Sequence, residues 1–144
     1  SKAWGAAGLR CGAVLANPQV IQLLGRVMAP YPLTAPAIAA ALAVTGPDAR
    51  EAQATLLLTL AREKGRLVRE LTGRPWVRDL WPGEANFVLI RVDDGPALVS
   101  HCAAQGVRIR DFHGQPLLDN CVRLTVGSPD DMSALRAALD TFGA

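Results

Sequence analysis

The first residues of the chain bring a lysine, a hydroxyl group and an arginine close together. Lys2 follows Ser1, and Arg10 comes eight positions after Lys2, across a stretch of small residues and glycines. A lysine amine attacks a carbonyl when it is positioned and partly desolvated, and an arginine presents a planar fork of donors to phosphate oxygens. The pattern indicates a Schiff-base lysine beside a phosphate site, although an exposed lysine and a salt-bridged arginine would use the same residues.

Two further arginines lie in short apolar segments that predict strands. Arg110 ends the segment 107–110, and Arg123 lies between Val122 and Leu124. An arginine in an apolar strand costs free energy unless its charge is paired. The charge could be paired with a carboxylate, with Asp111 and Asp119 as the candidates, or the arginine could lie on a polar face of the sheet.

Composition excludes several classes of protein. Half of the residues are hydrophobic and 19% are charged, which argues against disorder. The net charge is +2 without a long run of one sign, so neither nucleic acid nor a membrane surface is a predicted partner. The three cysteines form no CxxC pair, so neither a metal site nor a disulfide framework is indicated, and a reducing, cytoplasmic location is expected.

The spacing of apolar and turn residues predicts a compact α+β arrangement towards the end of the chain. A strand is predicted first, followed by three helices that include one long helix. The remaining segments alternate between strands and helices and predict a short sheet packed by helices. In order, the predicted elements are a strand at 11–16, helices from Asn17 and Thr34, a helix at 48–71, a strand at 86–92, a helix to about 105, strands at 107–110 and 122–126, and a helix after Ser128.

Several short motifs occur in an order that resembles one enzyme family. They are Ser-Lys-Ala at residue 1, Ala-Gly-Leu-Arg-Cys-Gly at 7, Ala-Pro-Tyr-Pro-Leu at 29, Glu-Ala-Asn-Phe at 84, Gly-Val-Arg-Ile-Arg-Asp at 106 and Cys-Val-Arg-Leu-Thr-Val-Gly at 121. This series resembles the histidinol-phosphate aminotransferases, which are fold-type I enzymes that use pyridoxal 5'-phosphate (PLP). The resemblance covers nearly all 144 residues.

The resemblance implies an α/β parent enzyme of which this chain is the C-terminal part. Residues 1–36 would be the remnant of the large PLP-binding domain. Residues 37–144 would form a long connecting helix and the small α+β domain. The family also implies a cytoplasmic homodimer in histidine biosynthesis.

The resemblance assigns a role to each of the five candidate residues. Lys2 would bind PLP and act as the catalytic proton carrier, while Ser1 and Arg10 would contact the cofactor phosphate. Arg110 and Arg123 would bind the anionic groups of the substrates. The implied reaction moves an amino group between L-histidinol phosphate and 2-oxoglutarate, which gives glutamate.

Three alternatives remain open. A related enzyme could act on aromatic or other amino acids, or decarboxylate threonine phosphate. In this family the carboxylate that pairs with the pyridine nitrogen normally precedes the lysine, so the isolated chain is expected to be inactive. The chain by itself could therefore be a non-catalytic C-terminal module that serves assembly or interaction.

Overall fold

The computed structural model describes residues 4–143, which form five α-helices and four strands after a single 3-10 turn at Ala7–Leu9. The helices are α1 (Pro18–Val27), α2 (Ala35–Thr45), α3 (Pro47–Thr72), α4 (Gly95–Ala104) and α5 (Pro129–Asp140). The strands are β1 (Val77–Trp81), β2 (Phe87–Val92), β3 (Arg110–Asp111) and β4 (Cys121–Thr125). The chain divides into two compact units within α3, the first ending at Leu57 and the second beginning at Leu58.

The helices of the first unit begin at the predicted capping residues. Asn17 Oδ1 accepts a hydrogen bond of 2.9 Å from the backbone N–H of Gln19, with Pro18 at the first helical position. Thr34 Oγ1 accepts a hydrogen bond of 3.3 Å from the backbone N–H of Ala37. These side chains satisfy backbone donors that a helix start leaves unpaired, so both helix starts follow from local sequence.

The strand predicted at residues 11–16 is wrong. These residues adopt neither helix nor strand, and the side chains of Val14 and Leu15 are 64% and 99% exposed. A strand forms only when a neighbouring strand supplies hydrogen-bond partners. The described part of the first unit contains no second strand.

The second unit is built on a four-stranded antiparallel sheet with the order β1-β2-β4-β3. Strand β1 was not predicted, and an irregularity between Val77 and Asp79 interrupts its register with β2. Strand β3 is shorter than the predicted segment 107–110, because the N–H of Val107 donates to Cys102 O at the end of α4. The other predicted strands and helices of this unit form within a few residues of their expected limits.

The core of the second unit lies on one face of the sheet. Strand β2 alternates between half-buried and buried residues, and Val88, Ile90 and Val92 point into the core. Helices α3, α4 and α5 add further buried apolar side chains, namely Leu67, Leu71, Leu98, Met132, Leu135 and Leu139. Because successive side chains of a strand point to opposite faces, the other face of the sheet remains available for polar side chains.

A buried ion-pair cluster joins α3 to α5 in the second unit. The Arg136 guanidinium donates to Glu63, and Arg136 Nε donates to Glu70 Oε2 over 3.0 Å. The hydrogen bond from Arg136 holds the pKa of the Glu63 carboxyl below its ordinary value, against the opposing effect of burial. The cluster pairs the buried positive charge of α5 with the negative charges of α3, so no charge of the cluster is left without a partner.

Candidate functional site

Arg110 and Arg123 are direct cross-strand partners. Their Cα atoms face each other in the antiparallel pair of β3 and β4, and Arg123 also faces Leu89 of β2. Directly opposite residues in such a pair project from the same face of the sheet. The structure therefore brings both predicted arginines to the face opposite the core.

Aromatic rings, rather than carboxylates, surround the two guanidinium groups. The Arg123 Cζ atom lies 5.1 Å from the centroid of the Phe87 ring and 6.0 Å from that of Phe112. The Arg110 Cζ atom lies 5.9 Å from the Phe112 centroid. Cations at such distances over a ring are attracted by its negative face.

Neither arginine forms an ion pair with a carboxylate among residues 4–143. Asp111, one predicted partner, instead accepts a 2.7 Å hydrogen bond from the backbone N–H of His113. The Nε atom of Arg123 is buried and has no hydrogen-bond partner in this part of the chain. The alternative that an aspartate neutralises these arginines therefore finds no support in the described residues.

Arg91 lies on the same face of the sheet but, unlike Arg110 and Arg123, it is paired with a carboxylate. Its Cζ atom lies 5.3 Å from the centroid of the Trp81 ring, and its Nη1 donates to Asp79 Oδ2 over 2.7 Å. Its remaining donors reach the carbonyl oxygens of Leu117 and Asp119. Arg91 is thus paired and largely satisfied, whereas Arg110 and Arg123 keep donors available for an oxyanion.

Three hydrogen bonds hold the segment that leads to Phe87, whose ring lies over Arg123. The N–H of Val126, after the end of β4, donates to Asn86 O over 2.8 Å, just before Phe87. The Nζ atom of Lys64 in α3 donates to the carbonyl oxygens of Gly83 and Ala85, at 2.6 and 2.7 Å. Because these bonds fix the backbone next to Phe87, they also help to position the Phe87 ring over Arg123.

Arg10 lies at the end of the 3-10 turn in the first unit. Its backbone has a φ of 53°, in the left-handed region, and its Nη1 atom donates to Ala7 O over 3.4 Å. The side chain is exposed. Ser1 and Lys2, the other two residues predicted to hold the cofactor, lie outside the described residues.

A cavity of about 510 Å³ adjoins Arg10. Its lining includes Gly8, Thr34 and Ala37 but no acidic residue, and a Cβ atom on Gly8 would meet nothing within 4 Å. A guanidinium group, a hydroxyl group and an open glycine backbone are chemically suited to a phosphate group. Arg10, the one described residue of the predicted cofactor-phosphate site, is therefore compatible with the phosphate of PLP, and most of the other lining residues of the cavity are apolar.

Sequence reasoning missed the two phenylalanines that contact the arginines. Phe112 lies two residues after Arg110, and this spacing places both side chains on one face of an extended segment. That signal was readable from the sequence. Phe87 lies 36 positions before Arg123, and only the register of β2 with β4 brings the two together.

The described residues contain neither a metal-binding cluster nor a membrane-spanning helix. No group of three or more His, Cys, Asp and Glu side chains between residues 4 and 143 could hold a metal ion. Over the same range, every helix is too short or too polar to cross a lipid bilayer.

Sequence comparison identifies relatives over almost the whole chain. The profile of the family described as "Aminotransferase class I and II" matches residues 1–139. The histidinol-phosphate aminotransferase of Chromobacterium violaceum is 42% identical over 140 residues, which cover 96% of this chain and 38% of that protein. The chain spans about two fifths of the length of the curated relatives it matches.

Solved structures give the same fold. A Burkholderia pseudomallei protein described as an aminotransferase aligns with all of this chain and 43% of its own, with a TM-score of 0.78 and 29% identity. The L-threonine-O-3-phosphate decarboxylase of Porphyromonas gingivalis aligns with 97% of this chain and 43% of its own, with a TM-score of 0.71 and 25% identity. The chain therefore has the fold of the fold-type I aminotransferases and belongs to the aminotransferase class I and II family.

Proposed function

We propose that the protein containing this chain transfers an amino group between L-histidinol phosphate and 2-oxoglutarate, as a PLP-dependent enzyme of histidine biosynthesis. The observation that carries the proposal is the facing pair Arg110 and Arg123, which have no carboxylate partner in the described residues. The 42% identity to a relative named histidinol-phosphate aminotransferase supports the choice of substrate.

The arginine pair suits a site that must accept two different donors. Histidinol phosphate carries a phosphate and no α-carboxylate, whereas glutamate carries two carboxylates. A guanidinium group binds both tetrahedral and planar oxyanions through paired hydrogen bonds. Arg110 and Arg123 would therefore hold the anionic end of either substrate in the same place.

The start of the chain would hold the cofactor. Lys2 would bind PLP and carry the proton to and from the substrate Cα, while Ser1 and Arg10 would bind the phosphate. When bound, PLP supplies the electron sink for the carbanion chemistry. The exposed Arg10 guanidinium beside an open cavity supports this assignment.

The proposal extends to the organisation of the enzyme. Residues 1–36 would belong to the large PLP-binding domain, and residues 37–144 would form the connecting helix and the small domain. We also propose a cytoplasmic homodimer. Apolar side chains of α1, including Ile21, Leu24 and Val27, are exposed in the described structure, which supports a surface that the rest of the large domain or another subunit covers.

A second candidate function is decarboxylation of threonine phosphate. The structural likeness to the Porphyromonas gingivalis decarboxylase favours it, and a phosphate-bearing substrate would suit the same arginine pair. The alternative of an aminotransferase for aromatic amino acids draws no specific support from the described site.

Activity assays on the protein from its complete reading frame would separate these functions. Histidinol phosphate, phenylalanine and threonine phosphate would each be tested as substrates, with glutamate formation and CO2 release as readouts. We expect glutamate formation from 2-oxoglutarate and histidinol phosphate, and its loss in Lys2→Ala with retained PLP. CO2 release from threonine phosphate without transamination of histidinol phosphate would contradict the proposal and favour the decarboxylase.

A further inference from the structure

The facing arginines of the proposed substrate site raise the question of what holds them together. Like charges directly opposite each other in a sheet destabilise the strand pair. Long arginine side chains would also separate into solvent unless something constrained them. Arg110 is exposed and Arg123 half-buried, so burial alone does not constrain both groups.

One side chain contacts both guanidinium groups. The ring of Phe112 lies 5.9 Å from Arg110 Cζ and 6.0 Å from Arg123 Cζ. Phe87 contacts only Arg123 among the described arginines, at 5.1 Å. Phe112 is therefore the residue that relates the position of one arginine to that of the other.

Both the backbone N–H and the carbonyl oxygen of Phe112 form hydrogen bonds that fix its position. Its N–H donates to Cys121 O over 3.0 Å, which continues the pairing of β3 with β4. Its carbonyl oxygen accepts a 3.1 Å hydrogen bond from the N–H of Gln115. The ring thus projects from a defined point next to the arginine pair.

An aromatic ring constrains an arginine without neutralising its charge. The ring attracts the guanidinium through its face, and the N–H donors at the edge remain free for a ligand. The carboxylate of Asp79 has the other effect on Arg91, because it pairs the charge and occupies the donors. A ring is therefore the better support for an arginine that must bind an anion.

We propose that Phe112 is a positioning residue that holds Arg110 and Arg123 in one geometry for binding the anionic group of the substrate. The inference rests on the proposed function, because it assigns the arginine pair to that substrate. The ring of Phe112 acts through its contacts with both arginines, and Phe112 takes no part in bond making or breaking.

The test compares substitutions at Phe112 in the protein from its complete reading frame. We expect Phe112→Leu to raise the KM for histidinol phosphate about fivefold, or about 1 kcal/mol, with kcat changed less than about twofold. Inhibition by inorganic phosphate should weaken by a similar factor. Phe112→Tyr keeps the ring and should restore the KM.

Two controls separate positioning from general packing. Trp81→Leu removes the ring that stacks on the carboxylate-paired Arg91 on the same sheet face, and should leave the KM unchanged. Thermal unfolding of each variant measures any loss of stability. If Phe112→Leu does not fold, Phe112→Met takes its place with the same expected change.

A double-mutant cycle with Arg123→Ala decides the mechanism. Phe112→Leu should have a smaller effect on KM in the Arg123→Ala background, because the effects of substitutions at contacting residues are not additive. Two outcomes would overturn the positioning role of Phe112 and leave the substrate-binding role of the arginine pair intact. One is an equal effect of Phe112→Leu on KM with and without Arg123→Ala. The other is an unchanged KM in Phe112→Leu together with a raised KM in Arg123→Ala. An unchanged KM in Arg123→Ala would instead refute the substrate-binding function of the arginine pair, and the role of Phe112 with it.

Discussion

Arg110 and Arg123 face each other across the last two strands of the sheet, with their Cα atoms in register. Two positive side chains in this relation repel, and no carboxylate among residues 4–143 pairs with either. A fold that retains such a pair carries an unfavourable interaction that a bound anion would relieve.

We predict that replacing either arginine of this pair impairs both half-reactions of the full-length enzyme. Charge-assisted hydrogen bonds contribute about 1.5–3 kcal/mol each, so Arg123→Ala or Arg110→Ala should lower kcat/KM by about 10- to 150-fold. Steady-state kinetics with histidinol phosphate and with glutamate measure the loss. The exposed Arg108 provides the matched control, and Arg123→Ala kinetics equal to those of the unmodified enzyme would contradict the prediction.

A second prediction concerns Arg10 and retention of the cofactor. Arg10→Ala should weaken PLP binding by about 10- to 150-fold, because it removes charge-assisted bonds to the phosphate. PLP content after dialysis, followed by absorbance, measures the effect. Arg26, an exposed arginine in the last turn of α1, serves as the control. Equal PLP content in Arg10→Ala and Arg26→Ala would argue against a phosphate contact.

A third prediction concerns the pH dependence of the α3–α5 ion pairs. The pKa of Glu63 is lowered in the folded protein, so its charge stabilises the fold above the ordinary carboxyl pKa and this contribution is lost as the pH falls through the lowered value. Glu63→Gln should therefore lower the unfolding midpoint at about pH 7, and the difference should shrink towards about pH 3.

Urea unfolding across this pH range would measure the effect of Glu63→Gln. The exposed Glu84 of the same unit gives the matched control as Glu84→Gln. A difference between Glu63→Gln and the unmodified protein that stays constant down to low pH would show that the carboxylate charge is not responsible.

A fourth prediction concerns the contact of α4 with the loop before β4. A Cβ atom at Gly95 would lie 3.0 Å from the Cα atom of Asn120, and the N–H of Gly95 donates to Asn120 Oδ1 over 3.2 Å. Gly95→Ala should therefore destabilise the fold by about 1–3 kcal/mol through overpacking against backbone. Gly73→Ala, where a Cβ meets nothing within 4 Å, is the control in urea unfolding. A Gly95→Ala midpoint as high as that of Gly73→Ala would refute the clash.

Local signals were sufficient to predict the helices. Asn17, Thr34 and Ser128 each accept a backbone hydrogen bond at the start of a helix, as expected from their side chains. These interactions involve residues two or three positions apart, so the sequence contains them directly. The long helix α3 likewise follows from its apolar spacing.

Strands were harder to predict because their partners are distant in sequence. The segment at residues 11–16 is apolar enough for a strand but has no partner strand in the described first unit. Strand β1 was missed because Arg78 and Asp79 interrupt its apolar pattern, and both pair with other residues in space, Arg78 with Asp93 and Asp79 with Arg91.

The candidate site was only partly predictable for the same reason. Arg110 and Arg123 could be proposed from motifs, and the structure places them on neighbouring strands. Their exact register, and the contact of Phe87 with Arg123, depend on the pairing of β4 with β2 and β3. The roles of all five candidate residues stay predictions, and Lys2 and Ser1 also lie outside the described part of the chain.

The position of β3 at one end of the sheet has a consequence for aggregation. The unpaired side of an edge strand can act as a template for a strand from another molecule. β3 has only two residues, Arg110 and Asp111, and both are exposed and carry opposite charges. So short and charged an edge offers little backbone for strand addition, and it protects the proposed site from intermolecular β-pairing when the protein is concentrated.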